Sequence, residues 1–262
     1  MTKLFLNKIR DNKNESFVCS IIKLSPNLIT LFSLCLTLTA IRFSMNGEYK
    51  AATALLIFAG FLDGMDGRLA RFLNASSDFG AQLDSLVDFV NFGVVPGFIV
   101  YFWVNSFGEI YGLDWAMVLC FAICACIRLA RFNVDLNDTK TNPIIQKYFF
   151  KGIPSPVGAA LTMLPMVLYY EFGAGFYSQQ ILVIIFVVIL AVMMASRVPT
   201  ISIKKISVFN KKRALTIVIL GSIIFGLLVR PWLTLAIIGG TYALSIPFTI
   251  YYFIKISAST KK

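Results

Sequence analysis

With 262 residues, 58% of them hydrophobic, and a mean hydropathy of +0.78, the chain is too apolar for an ordinary soluble domain, where apolar residues make up about 45–50%. The apolar residues come in runs close to the roughly 20 residues that a membrane helix needs, which indicates a polytopic helical membrane protein. The formal net charge of +11 would suggest nucleic acid in a soluble protein, but here Lys and Arg crowd alternate loops, where anionic lipid headgroups are the natural partner.

Residues 1–25 are mixed and basic, carrying Lys3, Lys8, Arg10, Lys13 and Lys23. The apolar segments LFL and FVCSII are too short to span and are expected to lie in the interface as short amphipathic turns. Ser25-Pro26-Asn27 opens the first span, with Ser25 as N-cap and Pro26 in the first turn. That span runs from about Asn27 to Met45. After the polar turn NGEYK, the second runs from about Ala51 to Asp63 and continues as helix into Arg71. The third runs from about Leu83 to Trp103, with Pro96-Gly97 predicting a kink. The fourth covers about Trp115 to Leu129, followed by a polar loop from Arg131 to Pro154. The remaining spans cover about Ser155–Tyr170, Ile181–Met194, Ala214–Val229 and Trp232–Ile254.

The connecting loops alternate between basic and non-basic. By the positive-inside rule this gives eight spans with both termini cytoplasmic, in the cell (inner) membrane. The long basic N-terminus suits a retained cytoplasmic end, and no signal-peptide cleavage site stands out. The five cysteines, Cys19, Cys35, Cys120, Cys124 and Cys126, form no CxxC pair and read as small packing residues. The chain has 0 histidines, which excludes a histidine base, a Ser-His triad and any histidine metal ligand.

The stretch from Asp63 to Asp88 carries the chemistry. It reads DGMDGRLARFLNASSDFGAQLDSLVD, with aspartates at 63, 66, 84 and 88. Spacings of three and four residues put each pair on one helix face. A carboxylate at the centre of a membrane helix costs about 2.5–3.5 kcal/mol on insertion scales. Four at one level repel unless cations lie among them, and hard divalent cations take oxygen ligands. Asp63, Asp66 and Asp84 can hold such cations, and Asp88, one turn deeper than Asp84, can serve as a base. Gly67 and Ala70 are small enough for a ligand to approach the backbone closely. Arg71 can pair a phosphate bidentately.

Written as a pattern, the stretch is Asp63-x2-Asp66-Gly67-x2-Ala70-Arg71-x8-Gly80-x3-Asp84-x3-Asp88. This resembles the signature of the CDP-alcohol phosphatidyltransferases at every position. The resemblance implies an all-α membrane enzyme with a six-helix core plus C-terminal helices. It implies a cytoplasmic or interfacial segment at 1–25, a single transmembrane catalytic domain at 26–254 and a cytoplasmic tail at 255–262. Such an enzyme attacks a CDP-linked lipid with an alcohol and releases CMP. It also implies that Asp63, Asp66 and Asp84 bind divalent cations, Mn²⁺ or Mg²⁺ and two in number. Asp88 borders that site and takes the proton from the attacking hydroxyl. Asn27, Thr30 and Ser77 join Gly67, Ala70 and Arg71 in lining the CDP-lipid site.

The segments FGVVP, RLARFN, FKGIPSP and SRVPTISIK look like those of the integral-membrane phosphatidylserine synthases. The implied substrates are CDP-diacylglycerol and L-serine, in a homodimeric enzyme embedded in membrane lipid. The serine carboxylate needs a cation, for which Arg128, Arg131 and Lys151 are candidates, with Asn133 adding a hydrogen bond. Asn91 stands where the resemblance leads one to expect a serine. Two alternatives stay open: the same chemistry on glycerol 3-phosphate or an inositol phosphate, or a cation-coupled transporter using the intramembrane acids. A transporter predicts acids spread along several spans, whereas here they gather at one end of two helices. A non-catalytic lipid-binding scaffold would not need an intact metal and base set.

Overall fold

The computed structural model describes residues 2–73, 75–108, 112–137, 149–196, 199–201 and 213–259. Backbone alone is described at 2–23, 136–137, 149–151, 199–201, 213–215 and 250–259. Helix α1 (Thr2–Met45) and helix α2 (Tyr49–Phe72) form an antiparallel hairpin. The turn between them is a Schellman closure. Gly47 takes φ +81° and donates to Ser44 O, while the Glu48 N–H reaches Phe43 O at 2.9 Å. Small side chains at the seam, Ser33, Thr37, Ala40, Ala52 and Ala59, are fully buried and let the two backbones come close.

The expected start at Ser25-Pro26 is not a start: α1 runs straight through Pro26. Pro26 lacks one backbone donor and has the turn formers Ser25 and Asn27 beside it, yet the rest of the hydrogen-bond ladder carries the helix across.

Helix α3 (Asp78–Phe89), a π-helical turn (Val90–Val94) and helix α4 (Val95–Asn105) make one continuous crossing. The irregularity expected at Pro96-Gly97 falls one turn earlier. Pro96 has no N–H to return and its ring crowds the preceding turn, so the backbone widens there, with the Val95 N–H reaching Val90 O. Helix α5 (Leu113–Asn137) packs Met117, Val118, Phe121 and Ala125 against this crossing. It extends two turns beyond the expected end at Leu129, because no Gly or Pro interrupts RLARFNVDLN. Arg131 and Asn133 therefore sit on a helix and not in a loop.

The fifth expected span is divided into α6 (Ser155–Thr162) and α7 (Leu164–Phe172), since Pro165 cannot continue the ladder through Met163. Helices α8 (Gln180–Ala195), α9 (Arg213–Val229) and α10 (Pro231–Ser259) complete the chain. The all-α expectation needs one small addition. Two three-residue strands, β1 (Phe149–Lys151) and β2 (Pro199–Ile201), pair antiparallel across two of the basic connections. The lysines of segments 138–148 and 202–212, read as membrane anchors, lie outside the described residues.

All eight expected spans fall on helices. By length and apolarity alone, Leu24–Met45, Asp78–Asn105, Leu113–Asp135 and Pro231–Thr249 can cross a membrane, and Gln180–Ala195 and Thr216–Val229 are shorter apolar helices. The outer faces are apolar, as on α9 and α10, where Leu228 and Leu244 are more than three-quarters exposed. The protein is a polytopic all-α membrane protein.

Its two ends differ in chemistry. At one end Trp103, Phe107, Tyr169, Tyr170 and Trp232 stack edge to face, and the Tyr49 hydroxyl donates to Phe102 O at 3.0 Å. This is a packed aromatic cluster around the fully buried Trp103. Along α2 from Tyr49, Asp63 lies 14 residues away, about 20 Å at 1.5 Å per residue. The aspartates therefore occupy the opposite end of the bundle.

Candidate active site

Two helix ends build the site. Asp63 and Asp66 lie on the last turns of α2. The chain then reverses and restarts at Ser77, whose Oγ accepts the Gly80 N–H at 3.0 Å as the N-cap of α3. That start sets the phase of α3, so that Asp84 and Asp88, one turn apart, face the end of α2. Carboxylate oxygens of Asp63, Asp66 and Asp84 all lie within 4.8 Å of one another. The Asp88 carboxyl is within hydrogen-bonding reach of Asp63.

Among the described residues, no lysine or arginine pairs with any of these four aspartates. Two unit charges 4.8 Å apart repel by about 3.5 kcal/mol at an effective dielectric near 20. Such a set holds its charge only with cations among it. The donor set, three hard carboxylates converging on one point, fits Mg²⁺ or Mn²⁺.

Hydrogen bonds from α1 and the π-helical turn back these carboxylates. Asp66 is 3% exposed. It accepts the Thr30 hydroxyl at Oδ2 and the Gly67 N–H at Oδ1, both at 2.5 Å. Asn91 is wholly buried and donates from Nδ2 to Asp63 Oδ1 at 3.2 Å and to Ser33 Oγ at 3.1 Å. Thr37 donates to Asn91 Oδ1.

Beside the cluster opens a cleft of about 290 Å³, lined by Asn27, Asp66, Gly67, Ala70, Arg71, Ser77, Gly80 and Asp84 among others. A Cβ at Gly80 would stand 3.0 Å from Asn27 Oδ1, so this glycine lets α3 approach α1 at the cleft floor. Of the six residues expected to line a CDP-lipid site, Thr30 alone is not at the cleft wall: it lies behind Asp66 and holds it. Asn27 also borders a second, apolar groove of about 360 Å³, lined by Leu24, Leu28, Leu31, Phe79 and Leu83. A polar cleft and an apolar groove thus meet at one residue.

The expected serine-side residues fall into two groups. Arg128 donates from Nε to Ser155 Oγ at 3.1 Å, and Asn133 donates to Ser85 Oγ at 3.4 Å, next to Asp84. Arg131 turns elsewhere: its Nη1 donates to Ala195 O at 2.7 Å, closing the C-terminus of α8. Lys151 belongs to β1, and its side chain lies outside the described residues. Gly152, at φ +80°, follows it. A Cβ there would meet Ser196 O at 2.7 Å and Met194 O at 2.8 Å, so the FKGIPSP segment wedges against the end of α8 only because residue 152 is glycine.

Ser33 and Thr37 do not stand out in the sequence as site residues. The signal present was hydroxyls at 30, 33 and 37, which share one face of α1, but an apolar run hides them.

Residues 23–193 match the model of the CDP-alcohol phosphatidyltransferase family. The chain belongs to that family. Among curated members, the CDP-diacylglycerol–serine O-phosphatidyltransferase of Mycobacterium leprae is 36% identical over 230 residues, covering 88% of this chain and 75% of the relative. The enzyme of the same name from Helicobacter pylori is 36% identical over 222 residues, covering 84% of this chain and 87% of the relative. The archaetidylserine synthase of Methanothermobacter thermautotrophicus is 30% identical over 185 residues, covering 70% of this chain and 72% of the relative. The family match spans α2, α3 and the carboxylate cluster between them.

Proposed function

We infer that this phosphatidyltransferase moves the phosphatidyl group of CDP-diacylglycerol to the hydroxyl of L-serine, yielding phosphatidylserine and CMP. The observation that carries the reading is the convergence of Asp63, Asp66 and Asp84 at the mouth of a cleft that adjoins an apolar groove. A diphosphate joined to a lipid has this same two-part chemistry. The names of the serine-dependent relatives support the acceptor.

Asp63, Asp66 and Asp84, bordered by Asp88, are the residues to hold divalent cations, Mn²⁺ or Mg²⁺ and two in number. Bound there, such cations neutralise charge on the diphosphate and on the departing phosphate. Asn27, Gly67, Ala70, Arg71 and Ser77 receive the nucleotide, with Arg71 available to a phosphate oxygen. Thr30 acts on the same site through Asp66. Leu24, Leu28 and Leu31 take the lipid side.

Asp88 removes the proton from the serine hydroxyl. The serine oxygen forms a bond to the lipid-side phosphorus, the bond from that phosphorus to the CMP oxygen breaks, and CMP leaves with the electron pair. The proton remains on Asp88 until solvent removes it. Arg128 and Asn133 orient serine, with Lys151 of β1 as a further cationic partner for its carboxylate. Arg131 holds the end of α8 against them. The cleft and both termini face the cytoplasm across the inner membrane, and the enzyme works as a homodimer.

The test is CMP release from CDP-diacylglycerol by purified protein in detergent with Mn²⁺ or Mg²⁺. Serine, glycerol 3-phosphate, inositol phosphate and no acceptor are compared side by side. Serine-dependent release that disappears in Asp88→Asn is the expected result. Release only with a phosphorylated acceptor would keep the family chemistry and overturn serine. Folded protein that releases no CMP with any acceptor would overturn the enzyme reading itself.

A further inference from the structure

We propose that Asn91 is a positioning residue for Asp63, held in its working orientation by Thr37 and Ser33 of α1. The proposal rests on reading the aspartate cluster as a cation site. Asp84, Asp88 and Asn91 follow one another at four and three residues, so they continue one face of the third crossing. Where that face would present a further carboxylate it presents an amide, a group that can donate. Asn91 is wholly buried in the π-helical turn, so its hydrogen bonds are made within the protein.

The Asp63 carboxylate decides which way the amide faces. An ionised carboxylate only accepts, so the Asn91 amide must turn an N–H, and not its carbonyl, towards Asp63. Its second N–H then meets Ser33 Oγ at 3.1 Å. Ser33 can accept because its own proton goes to Thr30 O at 2.8 Å. The Asn91 carbonyl faces Thr37, which supplies its only proton there. Every donor in the set is used once. A flipped amide would set its carbonyl against the Asp63 carboxylate, while Thr37 would accept from the amide and return its proton to Ser33 O at 2.6 Å.

The consequence falls on Asp63. Its neighbours Asp66 and Asp84 carry like charge and push its carboxylate away. The Asn91 N–H donates to Asp63 and pins one oxygen at 3.2 Å. Partners that orient metal ligands in this way commonly change metal affinity about 10- to 100-fold when lost.

Three variants separate positioning from packing. Asn91→Leu matches the amide in shape and removes both donors. Thr37 and Ser33 then fall back on helix carbonyls already near them, Ser33 O at 2.6 Å and Thr30 O at 2.8 Å, so the fold is retained. Thr37→Val removes the proton that fixes the amide, and Thr37→Ser restores it.

The measurement is Mn²⁺ binding by electron paramagnetic resonance on full-length, metal-depleted protein in detergent, with thermal unfolding in parallel. The expected affinity loss is about 10- to 100-fold for Asn91→Leu. It is about two- to tenfold for Thr37→Val and under about twofold for Thr37→Ser. The Mn²⁺ concentration for half-maximal CMP release rises in step, while the KM for CDP-diacylglycerol at saturating Mn²⁺ stays within about twofold. Wild-type affinity in Asn91→Leu, or equal losses in Thr37→Val and Thr37→Ser, overturns the positioning role alone. Wild-type protein that binds no Mn²⁺ overturns the cation reading beneath it, and the proposal with it.

Discussion

Replacing Asp84 by asparagine is expected to stabilise the metal-free protein while destroying its activity. Asp84 stands within 4.8 Å of both Asp63 and Asp66, so removing its charge relieves two repulsive pairs. At about 3.5 kcal/mol per pair the relief has a ceiling near 7 kcal/mol. A second ceiling is lower. The wild-type protein can escape the repulsion by taking up a proton, which at pH 7 costs an ordinary aspartate about 4 kcal/mol. The net gain is therefore expected at about 1–4 kcal/mol, or roughly 3–12 °C in unfolding temperature for a chain of this size. The assay is thermal unfolding in detergent after chelation, repeated with Mn²⁺. Wild-type protein gains stability from Mn²⁺, and Asp84→Asn, already relieved and short of one ligand, gains less. Metal-free Asp84→Asn that melts at or below wild type would refute the reasoning, because the three carboxylates would then not be held together against their charge.

Further predictions concern the supports of the site. Thr30→Val leaves Asp66 with the Gly67 N–H alone, and it is expected to weaken Mn²⁺ binding about tenfold, read by the same titration, with little change in unfolding temperature. Gly152→Ala places a methyl group against two carbonyl oxygens at positive φ, and a loss of about 2–5 kcal/mol is expected as an early thermal transition. Arg131→Met removes the donor to Ala195 O and is expected to lower stability by about 1–2 kcal/mol with the serine KM nearly unchanged. Arg128→Met is expected to show the opposite split, raising the serine KM at least about tenfold in steady-state assays.

The bundle and the acidic centre are both legible in the residue pattern. Spans are legible because each helix must bury its own backbone polar groups in lipid, so apolar length alone reveals it. The carboxylate pairs are legible because spacings of three and four residues are local, and Ser77 with Gly80 sets where α3 begins within the same short stretch. Local breakers were harder to read. Pro26 leaves α1 whole, Pro96 acts one turn upstream, and Pro165 splits a span, since a missing donor does not say which neighbouring turn will absorb it.

Which polar groups meet across helices emerges only from the packing of the bundle. Thr30 holds Asp66 from 36 residues away, Asn91 reaches Asp63 across 28, and Arg131 closes α8 across 64. From the sequence, Thr30 reads as lining, Asn91 as a departure and Arg131 as a ligand for serine. Each role depends on the rotation of one helix against another. That rotation is set by the packing of small residues along the whole seam, which no local spacing records.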